Sequence, residues 1–81
     1  MKTELHHKGT VDMSLIEIMR EAVSGKDFEY VRFYPDDTTW TKYVVEGDYT
    51  QEVKDELTKE NIEFTAQKTQ KNISVVTCTH P

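Results

Sequence analysis

Six of the eight aromatic residues in this chain fall between Phe28 and Tyr43, and that crowding restricts its fold more than any other feature. They sit in two runs, Phe28-Glu-Tyr-Val-Arg-Phe-Tyr34 and Trp40-Thr-Lys-Tyr-Val-Val45, whose β-branched and aromatic composition is that of strands. Pro35-Asp36-Asp37-Thr38 between them reads as a turn. A lone hairpin is not stable in water, so this one needs further strands and a helical layer to cover one side.

The rest of the chain supplies both. Ser14 followed by Glu17 reads as a capping box with Asp12 just upstream, and Leu15, Ile16, Ile18, Met19, Ala22 and Val23 recur at helical spacing. Ser24-Gly25 is the expected left-handed stop for this helix over 14–24. A second helix is expected from about Thr50 to Glu60, capped by Asp48 with Gln51 or by Thr50 itself. Asn61 in the left-handed position would let Leu57 and Ile62 meet in a Schellman motif. Two strands close the chain, 62–66 and 73–78, with Ile62, Phe64 and Ala66 inward in the first. Residues 1–11 show little periodicity and read as a flexible arm or a short edge strand.

The predicted class is therefore α+β. It is a single two-layer domain with two helices on one face of a mainly antiparallel four- or five-stranded sheet, in the order (β)-α-β-β-α-β-β. Eighty-one residues leave room for no second domain. Leu, Ile, Val and Phe occupy 18 positions, about 22%, just above the level at which chains stay disordered, so the core is thin. The one cysteine, Cys78, can form no internal disulfide.

Alternation splits the hairpin aromatics between two faces. Pairing Phe33 with Tyr43 and Val31 with Val45 makes one apolar face, assigned to the core. The opposite face then interleaves Tyr30, Arg32 and Tyr34 with Trp40 and Lys42. Aromatic and basic side chains alternating on an open sheet suit two occupants. Another protein is favoured, since interfaces are enriched in Tyr, Trp and Arg. Single-stranded RNA is the alternative, with bases stacked and phosphates neutralised. The formal charge of −5 argues against non-specific nucleic-acid binding. An acidic surface on the second helix, through Glu52, Asp55, Glu56 and Glu60, is a further docking candidate, and self-association through strand edges or the aromatic face is a third arrangement.

Chemistry-bearing groups are few. His6-His7 and Cys78/His80 lack the paired spacing of zinc sites, and a buried thiol with exposed histidines is the expected reading. The three glycines are scattered singly, which excludes a phosphate loop. No nucleophile has a base and an orienting third residue in view. The expectation is a non-catalytic protein without cofactor or metal, with no membrane span. The lone thiol and the absence of an apolar leader fit a reducing cytoplasm. Gly, Ala, Arg and Pro number only 3, 2, 2 and 2, the usage of an AT-rich genome. Inhibitors of host enzymes or defence systems encoded by phages or mobile elements share this profile, which places such a protein in the host cytoplasm.

Overall fold

A computed structural model describes residues 1–69 and 71–79 of the chain. The elements are β1 (Lys2–Lys8), α1 (Met13–Ala22), β2 (Glu29–Phe33), β3 (Trp40–Glu46), α2 (Thr50–Lys59), β4 (Phe64–Lys68) and β5 (Ile73–Cys78). They form one mixed sheet in the spatial order β2-β3-β1-β5-β4, with only β1 and β5 parallel. β1 and β2 run parallel with β3 between them, so β1-α1-β2 is a split crossover unit. β3-α2-β4 is another, enclosing β1 and β5. Both helices lie on one face. Between the layers pack Leu5, Tyr43, Val45, Val76 and Cys78 from the strands and Leu15, Ile16, Ile18, Met19, Ala22, Val23, Val53 and Leu57 from the helices.

Local signals explain most boundaries. The α1 N-cap is Asp12, whose carboxylate accepts from the Ser14 backbone N–H at 2.8 Å. Ser14 therefore lies inside the helix and not at its cap, correcting the expected capping box. At the other end Ser24 donates to Glu21 O and Gly25 to Arg20 O, with Ser24 itself at φ 53. This is a Schellman closure with a non-glycine residue in the left-handed seat. Ser24→Gly removes the Cβ strain there, and we expect a gain of about 1 kcal/mol in urea denaturation. α2 ends as the sequence predicts. Asn61 has φ 58, and Ile62 and Asn61 donate to Leu57 O and Thr58 O at 2.9 and 3.1 Å.

Two further expectations are overturned. Residues 1–11 are neither arm nor edge, because β1 is the central strand of the sheet. Its inward positions are Thr3, Leu5 and His7, all buried. Two of the three are polar, so hydrophobic alternation hides the strand. Burial is tolerated because partners exist: Thr3 Oγ1 donates to Gly47 O at 2.7 Å and accepts from Tyr49 N–H at 2.8 Å.

The hairpin register is the second correction. Phe33 pairs with Trp40 and Tyr30 with Tyr43, three positions away from the pairing that apolar matching favours. An odd shift turns β2 over. The tight turn Pro35–Asp37, with Asp36 and Asp37 at φ 50 and 60, holds the strand ends together and so sets the register. As an edge strand barely covered on either side, β2 has no strong apolar preference to resist it; Val31, expected in the core, is 44% exposed. Tyr43 and Val45 are buried as expected.

Candidate functional site: the uncovered sheet face

Strand parity and the ladder fix what the helix-free face carries. β2 contributes Glu29, Val31 and Phe33; β3 contributes Trp40, Lys42, Val44 and Glu46; β1 contributes Lys2, Glu4, His6 and Lys8; β5 contributes Ile73, Val75 and Thr77. The five residues expected to share one surface are thus divided. Trp40 and Lys42 are on this face, Tyr30 and Arg32 point to the helix side of β2, and Tyr34 follows the strand at its exposed end.

An aromatic cluster occupies the β2–β3 edge of the face and joins Phe33, which apolar matching had placed in the core, to Trp40. Phe33 lies 6.2 Å from Trp40 and 5.0 Å edge-on from His6, with ring centroids as reference. Lys42 Nζ sits 5.5 Å from the Phe33 centroid, a cation–π geometry. His6 is bonded to Glu4 at 2.8 Å, so its carboxylate is partnered. Turn length and strand parity together could have found this cluster; apolar periodicity could not.

Across the face the charge is balanced. Lys2, Lys8 and Lys42 oppose Glu4, Glu29 and Glu46, and Lys2 Nζ approaches Glu46 at 3.9 Å. The helix layer is the opposite case. Over 12–23 and 48–60, Asp12, Glu17, Glu21, Asp48, Glu52, Asp55, Glu56 and Glu60 face only Arg20, Lys54 and Lys59, which accounts for the whole formal charge of −5. Glu56 and Glu60 line a groove between the helices with Glu17 and Glu21. Glu52 and Asp55 lie on the exposed side of α2, Asp55 accepting from Gln51 Nε2 at 2.8 Å. Asp48 is held below the usual carboxylate range by the Thr50 hydroxyl and backbone N–H it accepts from.

The histidines are expected to be exposed, and the structure corrects this for one of them: His6 faces outward, but His7 is buried in the core, where Tyr43 partners it. Cys78 is buried, and its thiol is pushed up to about 12 by desolvation, with the Asp12 charge adding to it. His80 lies outside the described residues. Among the described residues no group of three or more metal-ligating side chains comes together. No helix is long and apolar enough to cross a membrane.

The fold and face define a two-layer sandwich of two split β-α-β units presenting a five-stranded sheet with an aromatic patch at its β2–β3 edge and balanced charge across the face. No protein-family model, no curated protein and no solved structure matches the chain.

Proposed function

We propose that this is a small non-catalytic binding protein that inhibits or regulates another protein by covering part of its surface, with the uncovered sheet face as the contact. The observation that carries this reading is the composition of that face: Val31, Phe33 and Trp40 form an accessible apolar patch along its β2–β3 edge, and the strands beside it carry cations and carboxylates in equal number. An aromatic patch beside balanced charge has the residue types in which protein interfaces are enriched. A phosphate-binding surface needs an excess of cations, and this one has none. Support for a host enzyme or defence system as the target, and for a phage or mobile element as the source, is compositional: short length, acidity and few of the residues written with GC-rich codons. Such a protein acts in the host cytoplasm.

Trp40→Ala should weaken capture of the partner about 10- to 100-fold, the effect of truncating an interface hot spot, while circular dichroism stays native. Glu52→Gln with Asp55→Asn, on the far side of the molecule, should leave capture unchanged. Retained capture by Trp40→Ala together with loss in the helix pair would move the contact to the acidic layer. Tight, salt-weakened binding to random single-stranded RNA would instead support the nucleic-acid reading.

A further inference from the structure

The geometry points to a second copy of this chain pairing antiparallel along the outer edge of β2, joining two sheets into one of ten strands. β2 ends the sheet, and its outer edge meets no other strand among the described residues. Natural edge strands are blunted by Lys, Pro or bulges. The other edge, β4, ends in Lys68 and shows only small or polar side chains outward, whereas β2 carries neither Lys nor Pro. It exposes instead Val31 and Tyr30, the latter 52% accessible, and leads into Tyr34 at 60%.

A twofold axis through such an edge must stand perpendicular to the sheet, because only then does an antiparallel neighbour keep its helices on the same side. Residues that face each other then come from the same face, so the axis passes through one residue position. Centring on Glu29 or Arg32 would set like charges together. Centring on Val31 uses all five strand residues and sets Tyr30 against the partner copy's Arg32 twice, a stacked cation–π pair. The same register brings Phe28 against Tyr34 of the second copy.

A depression of about 390 Å³ on the helix side, lined by Met13, Ile16, Arg20, Phe28 and Tyr30, lies where that register delivers the second Tyr34 ring. Edge, register, the Tyr30–Arg32 pairing and the receiving depression agree on the same occupant. This association leaves the Phe33–Trp40 face uncovered and is independent of what binds there.

Sedimentation equilibrium from about 10 μM to about 1 mM, the range of weak strand-edge contacts, reads the association directly. Wild type should pass from monomer to dimer. Arg32→Glu and Tyr30→Arg should each weaken it about tenfold or more, the second by opposing two arginines. Mixing the two variants should restore a heterodimer. The two introduced side chains, opposite in charge, then face each other on one side of the axis, and the native Tyr30 and Arg32 still meet on the other. A wild type that stays monomeric, or variants that dimerise as well as wild type, or a mixture that fails to associate, would each overturn the proposal. Both positions are exposed, and native circular dichroism of each variant separates loss of pairing from loss of folding.

Discussion

Tyr43→Phe should cost about 2–4 kcal/mol of folding stability, although it removes a single oxygen. The Tyr43 ring is fully buried beneath α1, and its hydroxyl ties three elements together. It accepts from the Asp12 backbone N–H at 3.0 Å and lies 2.9 Å from His7 Nε2. The other ring nitrogen, Nδ1, lies 3.1 Å from Lys8 O, which can only accept. In the neutral ring Nδ1 therefore carries the proton, and Nε2 accepts from the tyrosine hydroxyl. Phenylalanine preserves the packing but strands two groups at once, the His7 nitrogen and the Asp12 N–H. For a domain this small, with a total stability of about 3–5 kcal/mol, the loss takes most of it. Urea denaturation followed by tryptophan fluorescence measures the effect. A change under about 0.5 kcal/mol would show that water replaces the hydroxyl without penalty. In a double-mutant cycle, His7→Leu with Tyr43→Phe should cost less than the two single changes added, because only the Asp12 N–H is then left orphaned and no longer the His7 nitrogen as well.

Alkali should destabilise the protein progressively as pH rises from 9 towards 12. Burial raises the Cys78 thiol from its ordinary 9.0 to about 12, and burial raises Tyr43 above 10.0 in the same direction. In the unfolded chain the thiol loses its proton near pH 9, while the folded protein keeps it. Above that point the folded state binds the extra proton, so stability, undiminished below pH 9, falls as pH rises towards 12. The slope is about 1.4 kcal/mol per pH unit for the cysteine alone. Urea midpoints at pH 8 and above pH 10 test it, with Cys78→Ala as reference. The variant should start less stable, for lack of packing, but decline less steeply. Equal slopes would place the thiol in contact with water. The buried thiol should also resist alkylation at pH 8 until urea unfolds the chain.

Much of the architecture is readable from the residues, and the failures share one cause. α1, α2 and β5 announce themselves because the groups that cap or bury them are of the expected kind: Leu57, Asn61 and Ile62 spell out a Schellman closure, and it is there. β1 does not, since Thr3 and His7 occupy inward positions and are made acceptable by partners such as Gly47, Tyr49 and Tyr43, which sit 36 or more residues away in the chain. Polar burial satisfied at long range leaves no local trace. The β2–β3 register fails for a related reason. Apolar matching assumes that a strand's two faces differ in burial, and β2, at the rim, hardly has an inside. Turn length decides instead, and that exchanged Tyr30 and Arg32 for Val31 and Phe33 on the open face. Trp40 and Lys42 kept their place because β3 has a neighbour on each side.

The parallel pairing of β1 with β5 sets Lys2 beside Ile73 and Leu5 beside Val76. The earliest strand of this sheet to leave a ribosome is thus completed by the latest, and until residues 73–78 are available the central strand has one open flank. Nothing built from α1, the hairpin and α2 can close the core beforehand. The chain is therefore expected to stay open during most of its synthesis and then fold in a single late event. Shortening β5 by a few residues would abolish folding outright, where trimming β4 would only expose an edge.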